Sequence, residues 1–189
     1  MQKKLPQVYL FVDEFSPKEF DKIDKNISFI YRNYKKKVNE STLISLKNYC
    51  AANKRRLYLA KDIKLAINLK LHGVYIPAFV KQINFNQFSV PNNFSILGSA
   101  HNKIELKIKI KQGCSLIFLA PTFRVPKKNN YLGLSRFNLL ALNENSNFIA
   151  LGGINEKNYK KTKLLNCLGF AGITWIKKNG PTKIGPFFK

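Results

Sequence analysis

Acidic residues are scarce in this sequence: ten Asp and Glu stand against 33 Lys and Arg in 189 residues, a net charge of +23. A field of that size attracts phosphates, nucleic acids and anionic surfaces without any dedicated site. Cysteine is scarce too. Cys50, Cys114 and Cys167 are odd in number, far apart and outside any CxxC or Cys/His pairing, so neither a disulfide framework nor a zinc site is expected. No apolar run approaches the roughly 20 residues that span a bilayer. Met1-Gln2-Lys3-Lys4-Leu5-Pro6 leads straight into a strand-like segment rather than a signal-peptide core. A cytoplasmic chain with no membrane partner is therefore expected.

What is present describes one globular domain over residues 1–189. Hydrophobic residues make up 45% of the chain and aromatics 13%, enough for one sizeable core in a chain short for two domains. Lysine far outnumbers arginine, and Asn and Ile are plentiful beside it, which an AT-rich genome would produce whatever the function. The lysines are scattered and form no long basic tail, so a nucleic-acid partner has the charge as its sole support.

Apolar, β-branched and aromatic runs recur with polar stretches of helical length between them, the pattern of βα units around a parallel sheet. The expected strands are 8–12, 27–32, 57–60, 73–76, 94–99, 115–120, 148–151 and 172–176. Ser16-Pro17-Lys18-Glu19 reads as an N-cap, a proline at the first helical position and a capping-box Glu. Helical spacing follows over 39–53, carrying Leu43, Ile44, Leu46 and Cys50, and from Asp62 through Leu65, Ala66 and Leu69. Further helices are expected over 103–112, around 135–142 and from near Asn155, whereas 78–93 has poor periodicity and predicts an irregular connection. A loop rich in Lys, Asn and Pro spans 124–131. Eight units without a linker predict a closed (β/α)8 TIM barrel, somewhat shortened, with a doubly wound open sheet as the alternative. In either fold the chemistry belongs just beyond the C-terminal end of each strand.

The segments at those positions carry a resemblance. Leu97-Gly98-Ser99-Ala100-His101, 117–123 (IFLAPTF), 132–137 (LGLSRF), Ala150-Leu151-Gly152-Gly153-Ile154 and Gly169-Phe170-Ala171-Gly172-Ile173 resemble, in order, successive signatures of thiamine phosphate synthase and TenI proteins. Upstream, 9–13 (YLFVD) is similar to the family's first strand. Arg32 stands where a QLREK-like element carries its Arg, and Gly73-Val74-Tyr75-Ile76 where the family has Gly-Val-His-Leu. The resemblance implies a transferase that joins hydroxyethylthiazole phosphate to hydroxymethylpyrimidine pyrophosphate with Mg²⁺ and releases pyrophosphate. In the TenI branch it implies a binder, in some members a tautomerase, of thiazole phosphate. Small phosphorylated thiazole and pyrimidine ligands are thus the implied partners, with room for a homodimer.

Departures from the family pattern stand beside the matches. The family's Asn-Asp pair aligns with Ala60 and Lys61, and its second acidic position falls near Val80, so Mg²⁺ loses its usual carboxylates and no metal ligand is assigned. The Gln and Lys of the QLREK-like element align with Ile30 and Tyr34. The Thr-x-Thr-Lys stretch is replaced by 125–128 (VPKK), in which only Lys128 survives. The histidine of TenI tautomerases aligns with Pro121.

The expected phosphate cup consists of Gly152, Gly153 and Ile154 with Ile176 and Lys177. Paired glycines let backbone N–H groups approach an anion, helped by the helix expected near Asn155, although Gly-Gly is also what a tight turn needs. His101 and Ser99 are candidates for acid/base chemistry or ligand hydrogen bonding, with a capping or surface role as the alternative. Arg32 is expected to contact phosphate or order the pyrimidine; an ion pair with Asp13 or Glu14 is the alternative. Lys61, Arg124, Lys127 and Lys128 are the expected pyrophosphate and loop contacts. Asp13 and Glu14, the only carboxylates clustered at an expected strand end, would hold any metal unless they cap the next helix. His72 precedes the fourth strand and is expected to be structural.

Overall fold

The computed structural model describes residues 7–34, 39–82, 88–126, 130–142 and 144–179, without the side chains of Lys178 and Asn179. Eight strands close into a barrel in sequence order, β1 (Val8–Val12), β2 (Ser28–Tyr31), β3 (Leu57–Ala60), β4 (Gly73–Ile76), β5 (Ser95–Ala100), β6 (Leu116–Leu119), β7 (Asn147–Leu151) and β8 (Gly169–Gly172). Every pairing is parallel, and the β8–β1 register Val8↔Phe170 completes the ring, which excludes the open sheet. The helices are α1 (Pro17–Phe20), α2 (Glu40–Ala52), α3 (Ile63–Asn68), α4 (Lys103–Lys111), α5 (Gly133–Leu142) and α6 (Thr174–Asn179). A 3₁₀ helix covers Tyr159–Leu164.

The strands read as continuous apolar runs because both faces are buried, as a helix-wrapped parallel sheet requires. Alternate residues divide between two clusters. Tyr9, Phe11, Ile30, Tyr58, Tyr75, Leu97, Phe118 and Ile149 fill the lumen. Leu10, Val12, Phe29, Leu59, Val74, Ile117 and Phe148 face the helices. In α2, Leu43, Leu46 and Cys50 share one buried stripe while Ile44 lies outside it. Burying each leucine is worth roughly 1.5–3 kcal/mol. Asn39 and Asp62 cap α2 and α3 by accepting backbone N–H groups of Ser41 and Leu65. Ser16 precedes Pro17 as expected, but its side chain makes no capping bond and α1 lasts four residues.

Three expectations about elements are corrected or bounded. The eighth strand is Gly169–Gly172, not 172–176, and Ile173 turns the chain into α6. Small residues win here because Gly169 lies so close to the Gln7 carbonyl that any Cβ would collide with it, whatever the strand propensity of the Ile-Thr-Trp-Ile run that follows. No α-helix begins near Asn155. There the Asn155 and Asn158 side chains bind the Lys157 and Asn155 N–H groups, competing with helical bonds until the 3₁₀ turn starts. The irregular connection over 78–93 holds where it is described, and 83–87 lie outside the described residues.

At the N-terminal end of the barrel Arg55 is buried, its guanidinium donating to the carbonyls of Ile23, Asp24 and Ile27 at 3.0, 2.8 and 2.7 Å. His72 accepts the Leu57 N–H through Nδ1 at 3.2 Å, at that same end and away from the strand tips. No helix among the described residues is long and apolar enough to cross a membrane.

Candidate functional site

All eight strand C-termini open on one rim. The tips of β7 and β8 are neighbours there, with Leu151 opposite Ala171. Gly152 and Gly153 follow β7 with φ of +88° and +74°, the region that favours glycine. A Cβ on Gly153 would strike the backbone of Phe123. The loop after β6 is tied down at this point: Thr122 and Phe123 donate their N–H groups to the carbonyls of Leu151 and Gly152 at 2.8 and 3.0 Å. The Thr122 hydroxyl accepts from Leu151 N–H and donates to the Leu119 carbonyl. Close packing of the β6 and β7 loops is therefore one reason for the glycines. Among the described residues the N–H groups of Gly152, Gly153 and Ile154 reach no protein acceptor.

Ile176 and Lys177 are not at the tip of β8. They sit within α6, where Ile176 is buried and packs over Gly172, and Lys177 donates its N–H to the Ile173 carbonyl. The Lys177 ammonium lies 3.3 Å from an Asp13 carboxylate oxygen. Beyond the Leu151–Ala171 pair the β8 chain continues through Ile173 and Thr174, whose N–H groups open α6 and have no intrahelical partner.

The β2–β4 side of the rim is cationic and aromatic. The Arg32 guanidinium stands 4.5 Å from the centre of the Phe11 ring and 5.4 Å from that of Tyr34. Lys61 places its ammonium 5.2 Å from the centre of Tyr34 and 4.9 Å from that of Phe79. The Tyr34 and Phe79 rings meet edge to face at 5.6 Å. Burial pushes the Tyr34 phenol well up, helped by Tyr75 and opposed by Arg32. Burial does the same to Tyr75, with Ser99 pulling the other way. Both phenols are neutral at pH 7, and Arg32 and Lys61 provide the charge. Neither forms an ion pair among the described residues, so the pairing of Arg32 with Asp13 or Glu14 is not made.

His101 is turned outward. Its Nδ1 and its N–H both meet the Glu105 carboxylate, at 2.9 and 2.7 Å, while Asn102 caps α4 by accepting the Glu105 N–H. Ser99 is buried beside Tyr75, so the two do not form a polar pair at the rim. Arg124 is exposed, and Lys127 and Lys128 lie outside the described residues. Sequence reasoning passed over Tyr34 and Phe79 as ring platforms; the available signal was one aromatic three residues beyond each of the second and fourth strands.

Magnesium requires several oxygen ligands in near-octahedral geometry. The tip of β3 offers Lys61, and the tip of β4 leads into Pro77, Ala78, Phe79 and Val80. The Asp62 carboxylate is committed to capping α3, and Asp13 faces Lys177. No group of three His, Cys, Asp or Glu among the described residues can hold a metal. The donor set does not fit Mg²⁺. A cavity of about 910 Å³, lined by Lys61, Lys64, Lys81, Phe88 and Lys111 among others, opens beside the barrel next to α3 and α4 rather than over the lumen.

The architecture defines a class: a parallel (β/α)8 barrel whose C-terminal rim has, among the described residues, backbone donors without acceptors at one part and cations at another. Within that class the chain belongs to the thiamine monophosphate synthase (TMP-TENI) family, whose model matches residues 26–176. A thiamine-phosphate synthase of Prochlorococcus marinus is 36% identical over 67 residues, covering 34% of this chain and only 19% of that protein. The fold is shared with a thiamine phosphate pyrophosphorylase from Pyrococcus furiosus, at TM-score 0.72 and 14% identity, over 94% of this chain and 93% of the other. It is shared also with one from Bacteroides thetaiotaomicron, at TM-score 0.57 and 17% identity, over 89% and 83%.

Proposed function

We propose that the protein acts in thiamine biosynthesis as a thiamine phosphate synthase-type transferase, joining hydroxyethylthiazole phosphate to hydroxymethylpyrimidine pyrophosphate with release of pyrophosphate. The observation that carries this is the run of N–H groups on Gly152, Gly153 and Ile154 that have no acceptor among the described residues, at the tip of β7 beside that of β8. Successive amides with no acceptor among the described residues suit the three oxygens of a phosphate monoester. The thiazole phosphate belongs there, with Ile173 and Thr174 taking the place first assigned to Ile176 and Lys177. The pyrimidine has the Tyr34 and Phe79 rings to lie against, and Arg32 and Lys61 face its diphosphate. Negative charge gathers on the diphosphate oxygens as the bond to the pyrimidine methylene breaks, and fixed cations stabilise that charge.

A second reading, a binder of thiazole phosphate or thiamine phosphate without turnover, is favoured by Lys61 and Val80 at the positions where carboxylates are expected. Pyrophosphate release with both precursors at saturation, measured with Mg²⁺ and with EDTA, separates the two. Release above the protein-free rate supports the transferase. Binding of the thiazole phosphate with no release in either buffer leaves only the binder.

A further inference from the structure

We infer that the β2–β4 side of the mouth is a diphosphate site that works without a divalent metal, with Lys61 and Arg32 themselves supplying the positive charge. The proposal rests on the transferase reading for the identity of its anion. Two like charges flank one Tyr34 ring, at 5.2 and 5.4 Å from its centre, with no carboxylate paired to either among the described residues. Cations brought together in this way repel one another unless an anion joins them. The rings hold them without neutralising them, since an aromatic face attracts a cation while carrying no net charge.

The backbone at Lys61 adds a second observation. Among the described residues three non-glycine positions have positive φ: Lys54, Lys61 and Lys70. Lys54 and Lys70 each follow the C-cap of a helix, α2 and α3, where a left-handed residue is ordinary. Lys61 instead follows a strand, at φ +72°, and is the centre of a three-residue turn in which Asp62 N–H donates to the Ala60 carbonyl. Its own N–H is fixed to the Tyr75 carbonyl at 2.9 Å. Strain of this kind persists where the surroundings over-determine it, and it collects at ligand-holding positions. The turn sends the Asp62 carboxylate to its capping bond on α3 and leaves the lysine over the rings at the mouth. A metal bridging diphosphate oxygens to carboxylates is therefore replaced by an ammonium and a guanidinium that bind the oxygens directly.

Calorimetric titration of the full chain with inorganic pyrophosphate, at matched ionic strength with EDTA or with Mg²⁺, tests this. One molecule is expected to bind in EDTA, with affinity that Mg²⁺ leaves unchanged or lowers by complexing the free anion. Lys61→Gln and Arg32→Gln should each weaken binding by about tenfold, the loss of one charge-assisted contact. Lys61→Arg keeps the charge and should stay within about threefold of the parent, and it carries the test if Lys61→Gln lowers the melting temperature. Lys25→Gln, in the turn before β2 at the opposite end of the barrel, controls for the overall +23 field. Binding that appears only with Mg²⁺, no binding in either buffer, or equal losses in Lys25→Gln and Lys61→Gln would each overturn the proposal. Pyrophosphate binding without hydroxyethylthiazole phosphate binding would leave this site standing and remove the transferase reading; the converse would do the opposite.

Discussion

Two arginines lie over phenylalanine rings at opposite ends of the barrel, and their surroundings differ in burial and in hydrogen-bond partners. Arg55 is 4.3 Å from the centre of Phe29, is buried, and donates to three backbone carbonyls. Arg32 is 4.5 Å from the centre of Phe11, is half-buried, and has no carboxylate beside it among the described residues. The first closes the N-terminal end by donating to the carbonyls of the segment that leads into β2. The second leaves its charge facing the rim. The same side chain on the same kind of platform is thus structural at one end and available for a ligand at the other, and the hydrogen-bond partners decide which.

Substitution can break this contrast. Arg55→Leu removes the guanidinium donors to the carbonyls of Ile23, Asp24 and Ile27 and should cost about 3 kcal/mol or more, read as a fall in the urea midpoint. Leu46→Ala, in the stripe of α2, should cost about 2–4 kcal/mol by the same measure and leave ligand affinity of the folded protein unchanged. Arg32→Leu should move the urea midpoint by no more than about 1 kcal/mol, because it strands no backbone group. Its effect belongs in anion binding. If Arg32→Leu destabilised as much as Arg55→Leu, the distinction between the two ends would be lost.

A pH dependence is expected as well. Burial pushes the Cys50 and Cys114 thiols up to about 12 and Cys167 up to about 11. Folding therefore favours the protonated thiol, and the stability these groups contribute is full below the unfolded-state value of about 8.5 and declines as pH rises toward the folded values. The urea midpoint should fall between pH 8 and 11, less steeply in Cys50→Ala, and a thiol reagent at pH 8 should react far more slowly with the native protein than in urea.

Much of the barrel was legible because a parallel strand buried on both faces writes an unbroken apolar run. The segments 8–12, 57–60 and 73–76 match their strands residue for residue. β8 was misread because its residues, Gly-Phe-Ala-Gly, are chosen by the space between β7 and β1 rather than by strand propensity. That error also displaced the cup, placing Ile176 and Lys177 where Ile173 and Thr174 stand. Gly152 and Gly153 were legible as a turn beyond a strand, but their contact with Phe123 depends on how two loops pack. Ser99 and His101 share one strand end, yet Glu105, one turn into α4, draws the imidazole outward. The placement of Lys61 and Arg32 about Tyr34 joins positions far apart in the chain, and the β2–β3 pairing brings them together.

Titration of hydroxyethylthiazole phosphate into the parent protein and Thr174→Asp tests the central claim most directly. Thr174 is exposed at the first position of α6, where a carboxylate suits the helix and leaves the fold intact. We predict saturable one-to-one binding by the parent and a loss of at least about tenfold in the variant, whose new charge faces the phosphate. Equal affinities in two equally stable proteins would contradict the assignment of the β7–β8 rim as the place where the phosphate is held.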